Sequence, residues 1–166
     1  MKKYNENSEM EYSEEIVHID ELDKKILQLI TKNARIPFLE VARECGVSGA
    51  AIHQRVQRLL NIGIVSGSEF IVNPNKLGFN TCAYLGIFLE KANFDKKVVE
   101  ELKGIPEVVE CHFTTGAWAI FIKVQAKSNR HLKKIIDTDL QGIDGIARTE
   151  TFISLDQVFK RQIPIF

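Results

Sequence analysis

Apolar positions in the first third of the chain recur at helical spacing, and in the second half they switch back and forth between helical and extended spacing. Leu22, Ile26, Leu27, Leu29 and Ile30 repeat every three or four residues behind Asp20, which predicts a first helix ending at Asn33. Asp20 and Asp23 form a capping pair at the positive end of that helix's dipole. Ala34-Arg35-Ile36 then leads to Pro37, whose fixed φ suits the first turn of a second helix. Residues 37–63, PFLEVARECGVSGAAIHQRVQRLLNIG, predict two short helices joined at a tight Cys45-Gly46-Val47 turn. Leu39, Val41 and Ala42 are the expected buried stripe of the first, Gly46 supplies backbone freedom at the turn, and Ser48 caps the second. In the second, Ile52, Val56 and Leu59 share one stripe and must face inward. Three helices in about 45 residues make a small but feasible headpiece, and the joined pair is a helix-turn-helix.

Beyond Gly63 the pattern becomes extended. Ile64-Val65 and Phe70-Ile71-Val72 flank a Ser66-Gly67-Ser68 turn or bend before Asn73-Pro74-Asn75 breaks the run, so the extended stretch is either a wing beside the helix-turn-helix or a connecting strand, and residues 64–80 are assigned as a linker strand and loop. Residues 81–90 predict a strand and residues 94–103 an amphipathic helix through Phe94, Val98, Val99 and Leu102, ended by Gly104-Ile105-Pro106. Residues 108–114 and 118–124 predict strands joined through Thr115-Gly116-Ala117, Ser128 caps a helix carrying Leu132, Ile135, Ile136 and Leu140, and residues 147–155 are a last strand. The order β-α-β-β-α-β is the ferredoxin-like plan, an antiparallel sheet with two helices on one face, and the whole chain is therefore α+β. The other face, carrying several of Tyr84, Gly86, Phe88, Phe121 and Lys123 depending on register, is apolar enough to predict an obligate dimer through this domain. The tail's end, Ile163-Pro164-Ile165-Phe166, is too apolar to be free and is expected to pack on the dimer or the linker strand. The expected domains are an acidic disordered tail at 1–18, the helix-turn-helix domain at 19–63, the linker at 64–80, and an oligomerisation domain at 81–166, to which the family resemblance given below adds ligand sensing.

Composition narrows the class. The chain has 166 residues, 45% of them hydrophobic, enough for one medium or two small cores, and no apolar run approaches bilayer length, so no membrane partner is expected. The first fifteen residues are polar and acidic and contain no apolar export signal, which together with three unpaired-looking cysteines predicts a cytoplasmic protein. Cys45, Cys82 and Cys111 fit no metal spacing and are expected to be buried packing residues. His18, His53, His112 and His131 are scattered, and Cys111 and His112, adjacent in a strand, point to opposite faces, so neither a metal site nor any other cofactor is expected.

The chemistry lies on the second helix of the pair. Opposite its buried stripe stand Ala50, Gln54, Gln57 and Arg58, with His53 on the flank and Ser48 and Gly49 at the start. Glutamine can pair bidentately with adenine and arginine with guanine, while alanine admits a thymine methyl, so this face suits the major groove of double-stranded DNA. An ordinary solvated helix face is the alternative. Arg55 lies nearer the buried edge and reads as a phosphate contact or an intramolecular clamp. Charge adds little: residues 1–19 carry two lysines against five glutamates, net −3; residues 20–72 are net +1 and residues 73–166 net +2. One headpiece should therefore bind DNA weakly, and several copies held together would recover affinity.

Taken together, IDELDKKILQLITKNARIPFLEVA, GVSGAAIHQRVQRLLNIGIVSG, VNPNKLGF and VVECHFTTG, in that order, resemble the Lrp/AsnC family of feast/famine transcription regulators over residues 19 to about 164. The resemblance implies an N-terminal DNA-binding domain, a C-terminal ligand-sensing domain, dimers assembling into octamers or higher forms, and an amino acid effector. It places the effector region at Thr114, Thr115, Gly116, Ala117, Trp118 and Ala119. Family members commonly carry Gly-Asp-aromatic-Asp there, whereas this chain has Gly116-Ala117-Trp118-Ala119 and no carboxylate for an effector's ammonium group. Either the effector is bound differently, or it is a different molecule, or ligand response is lost and the protein is architectural; Trp118 is a ligand contact or interface packing. A second class, tetrapyrrole decarboxylases on the same two-domain plan, would rely on His112 and His131, and no activated nucleophile or paired acid accompanies them.

Overall fold

The computed structural model describes residues 18–166, so the expected acidic tail lies outside the described residues except for His18. Its first elements are α1 (Glu21–Lys32), α2 (Phe38–Cys45) and α3 (Gly49–Asn61). Asp20 caps α1 reciprocally with Asp23: the Asp23 amide donates to Asp20 Oδ1 at 2.8 Å, and the Asp20 amide donates to Asp23 Oδ2 at 3.2 Å. Asn33 is the C-cap. Gly46 ends α2 with φ 69°, a left-handed conformation that makes the tight turn accessible to glycine, and the Val47 amide closes it onto the Ala42 carbonyl at 3.0 Å. Ser48 then caps α3 by accepting from the Ala51 amide at 3.2 Å. The core between the helices is Ile26, Val41, Ala42, Ile52 and Val56.

Two expectations fail in this region. Leu39 is not part of the buried stripe but 60% exposed, because it lies about 200° round the helix from Val41; Cys45, one turn on from Val41, packs there instead. Ile64-Val65 and Phe70-Val72 form no strand, and the linker's only regular piece is a 3-10 turn at Pro74–Leu77. With no strand beside it, extended backbone there has no ladder to join.

The chain divides into two compact units, one ending at Phe70 and taking back Arg161–Phe166, the other Ile71–Lys160. The tail's end thus joins the first unit rather than the second. Gln28 Nε2 donates to the Ile165 carbonyl at 3.0 Å, and Ile165 is half-buried while Ile163 and Phe166 stay more than four-fifths exposed.

The second unit contains β1 (Thr81–Leu89), α4 (Asp95–Lys103), β2 (Val108–Phe113), β3 (Ile120–Ala126), α5 (Asn129–Lys134) and β4 (Ile146–Ser154). The strands lie in the order β2-β3-β1-β4, all antiparallel, as the ferredoxin-like plan requires. Ala83, Leu85 and Ile87 of β1 with Ile120, Ile122 and Val124 of β3 form the buried face, packed with Val98 and Leu102 of α4 and Leu132 of α5. A wide turn at Ile135–Leu140 continues α5, with the Gln141 amide reaching back five residues to the Ile136 carbonyl. On a regular α-helix Ile135 and Leu140 would diverge by about 140°, and the widening lets both be buried.

Register settles the other face. Tyr84 opposes Lys123, and Gly86 opposes Phe121 on β3 and Glu150 on β4, so all five of the expected residues share the face away from the helices. It is not bare, however. Trp118 folds back over Gly86, where an added Cβ would stand 2.4 Å from the indole, and its ring stacks on Phe121 at 5.4 Å and meets Phe152 edge-on at 5.6 Å. Cys111, expected to be buried, is exposed because β2 is an edge strand, and Cys45 and Cys82 are half-buried. Among the described residues no helix is long and apolar enough to cross a membrane.

Gly86→Ala should push the indole off the sheet and destabilise the second unit by about 1–3 kcal/mol. Urea unfolding measures the loss and a red shift of the single tryptophan's emission reports the displacement; adding Trp118→Ala should make the Gly86→Ala penalty largely disappear.

Candidate functional site

On α3, the structure separates the expected DNA-binding residues into two groups. Ala50, His53, Gln54 and Gln57 are exposed on the side away from Ile52, Val56 and Leu59, with Ser48 exposed and Gly49 half-buried at the helix start. Ala50, Gln54 and Gln57 form one stripe by spacing, and His53 lies edge-on to Phe38, ring centroids 6.2 Å apart. The amides of Gln54 and Gln57 bond to no group among the described residues.

Arg55 and Arg58 form the second group, and both are engaged inside the unit. Arg55 Nη1 donates to Asp20 Oδ2 at 2.6 Å and to Asp23 Oδ1 at 2.9 Å, so the clamp alternative for Arg55 describes its place. Arg58, expected on the free outward face, donates to Asp23 Oδ2 at 2.9 Å and to the His18 carbonyl at 2.7 Å. Four residues on from Gln54, it lies close enough to the Arg55 side of α3 to share the buried carboxylate. Asp23 is 1% exposed, and the two guanidiniums satisfy both of its oxygens. The Asp23 amide, then Arg55, hold the Asp20 carboxyl below its ordinary pKa, and Asp20, then Asp23, push Arg55 up.

In the second unit, Thr114 to Ala119 form the connection between β2 and β3. Thr114 Oγ1 donates to the Trp118 carbonyl at 2.7 Å, the Thr114 amide donates to the Ala119 carbonyl at 3.1 Å, and the Ala119 amide donates to the Ile87 carbonyl at 3.1 Å, which ties the turn to β1. Thr115, Gly116 and Ala117 at the tip are exposed, and Gly116 has φ 116°. Trp118 Nε1 donates to Glu150 Oε2 at 2.9 Å, and Arg148 Nη1 to Glu150 Oε1 at 2.7 Å. Arg148, then Trp118, hold the Glu150 carboxyl below its ordinary range. Farther along the same face Lys123 Nζ donates to Glu110 Oε1 at 2.9 Å, lowering the Glu110 pKa and raising that of Lys123.

Sequence reasoning missed Glu150 and the seat at Gly86. A glycine inside a strand of large residues was the available signal for close approach of another group, but nothing local identified that group as Trp118. His112 lies on the open face beside Glu110, whereas His131 is on α5 near Glu107, on the opposite side of the sheet, so the two histidines form no common site. Among the described residues no three His, Cys, Asp or Glu side chains gather as a metal cluster.

A helix-turn-helix with an exposed amide stripe is the architecture of a DNA-binding unit, and here it is followed by a ferredoxin-like domain. Residues 19–60 match the AsnC-type helix-turn-helix domain, and residues 82–164 match the Lrp/AsnC ligand binding domain. The chain is similar to the regulatory protein AsnC of Haemophilus influenzae, 41% identical over 146 residues that cover 88% of this chain and 97% of that protein. It is 37% identical to AsnC of Escherichia coli K12 over 87% of this chain and 95% of that protein. The solved structure of E. coli AsnC superposes with a TM-score of 0.84 at 37% identity, covering 88% of this chain and 98% of that one. A Neisseria meningitidis transcriptional regulator solved in complex with L-methionine shares the fold, TM-score 0.84 at 19% identity over 89% of this chain and 97% of that one. This chain belongs to the Lrp/AsnC family of transcriptional regulators.

Removing Asp23 leaves two guanidiniums without their shared acceptor, and Asp23→Ala should lower stability in urea unfolding by about 2–3 kcal/mol. Asp20 sets a pH dependence. Its folded pKa is depressed, so its contribution is present above its unfolded value of about 3.9 and is lost as pH falls through the folded value. Acid titration followed by circular dichroism should show helix loss beginning below about pH 4, with a shallower pH dependence in Asp20→Asn.

Proposed function

We propose that this regulator reads DNA through the outward stripe of α3, with Ala50, Gln54 and Gln57 against base edges, His53 on the flank, and Ser48 and Gly49 at the phosphates. The observation that carries the reading is the pair of exposed, unengaged glutamine amides on a helix whose opposite side is fully buried. Arg55 and Arg58 act from behind, by fixing α3 to the start of α1, and Arg58 gives up the base-reading role. With Arg55 and Arg58 paired to Asp20 and Asp23, and residues 20–72 net +1, one headpiece has little attraction for phosphate. Affinity then comes from copies held together, and the second unit is the assembly domain: Tyr84, Phe121 and Phe152 with Trp118 form an aromatic surface that a second copy would cover in a dimer, from which octamers or similar forms are built.

The 114–119 turn is proposed as the effector site and an amino acid as the effector, in keeping with the L-methionine bound by the N. meningitidis regulator. An effector that favours one assembly state shifts the population toward it and alters how DNA-binding heads are presented. The protein works in the cytoplasm as a regulator rather than an enzyme; His112 and His131 on opposite sides of the sheet do not favour the tetrapyrrole reading.

Band shifts on the protein's own promoter region test the DNA reading. Gln54→Ala and Gln57→Ala should each weaken specific binding by about 1–3 kcal/mol and leave binding to unrelated DNA unchanged. Absence of wild-type binding even at low salt would overturn it. Light scattering reports assembly, and a monomer at micromolar concentration would count against the dimer.

A further inference from the structure

An amino acid effector presents an ammonium group, and the 114–119 turn carries no carboxylate to receive it. Thr114 offers little, since its hydroxyl already donates to the Trp118 carbonyl at 2.7 Å. The carboxylate that reaches the turn comes from β4. Because Gly86 has no Cβ, the indole of Trp118 lies flat on β1, and its Nε1 donates to Glu150 Oε2 at 2.9 Å. Resting on the reading of the turn as the site of an amino acid effector, we infer that Glu150 is the ammonium acceptor of that site and that Trp118 is its positioning residue.

Three features of Glu150, and two of its surroundings, support this assignment. A carboxylate has about four lone-pair directions, and Arg148 at 2.7 Å and Trp118 at 2.9 Å occupy one on each oxygen, which leaves room for a further donor. The side chain is 42% exposed and stands on an edge strand, so it is reachable from the side of the sheet even when a second copy covers the middle. Its neighbours keep it ionised: the Arg148 guanidinium first, then the indole, which orients the carboxylate without adding charge. Glu110, the other acid of this face, is already held by Lys123, whose side chain is 10% exposed. At the tip, the backbone amides of Thr115, Gly116 and Ala117 bond to no acceptor among the described residues, which suits the effector's own carboxylate.

The full chain is titrated with each proteinogenic L-amino acid by calorimetry and by the emission of Trp118, the single tryptophan. Every amino acid that binds is then compared with its des-amino carboxylic acid analogue. Wild type should prefer the amino acid over the analogue by about 10- to 100-fold. In Glu150→Gln, that preference should collapse through weaker amino acid binding while the analogue's affinity stays within about threefold, and Glu150→Asp should restore part of it. Gly86→Ala, whose Cβ would meet the indole, should weaken amino acid binding by displacing it. Equal losses for both ligands in a folded Glu150→Gln protein, or an unchanged preference, would overturn the inference while leaving the effector reading intact. Failure of every amino acid to bind wild type would overturn both.

Discussion

Burying a carboxylate is costly unless its lone pairs are filled, and at Asp23 they are filled by α3. Asp23 caps the start of α1 through its backbone and side chain, then accepts Arg55 and Arg58 on its two oxygens. One buried side chain therefore locks the first turn of α1 to the middle of α3, and the azimuth of α3 follows from that lock together with the burial of Ile52, Val56 and Leu59. The outward stripe is what remains after these constraints are met. Pairing two cations with Asp23 leaves an outward stripe of amides and a methyl, groups of the kind that can pair with base edges but attract phosphate weakly.

The second unit uses a polar group in a comparable way. Trp118 could lie against the sheet through ring packing alone, but the Nε1 bond to Glu150 chooses one orientation among several that would bury similar area. Gly86 makes the seat, Phe121 and Phe152 wall it, and the Thr114 and Ala119 bonds carry the constraint into the turn. The turn is thereby rigid at its base and open at its tip, a suitable arrangement for backbone recognition. Both units thus rely on long-range hydrogen bonds to aim surfaces that short-range packing leaves free.

Such devices are hard to see in a linear chain. Arg58 was legible as polar and on the side away from the core, and its helical position is as expected; its partner lies 35 residues earlier and was already accounted for as a cap. Leu39 misled because hydrophobicity alone placed it with Val41, although the helical angle between them excludes a shared stripe. The linker misled because β-branched and aromatic residues mark strands only where a neighbouring strand completes the ladder.

The sequence by itself determined the order and type of the elements outside the linker, the capping pair of α1, the tight turn at Gly46 and the Ser48 cap, and it carried a family resemblance across both domains. Those features depend on residues within a turn or two of each other, where spacing is geometry. Tertiary structure decided which arginines pair with Asp23, that Trp118 sits on Gly86 beside Glu150, that Cys111 lies exposed on an edge strand, and that the last six residues return to the first unit. Partners 32, 35 and 137 residues apart meet there, and such meetings are fixed by how packed elements are brought together, which no local period records.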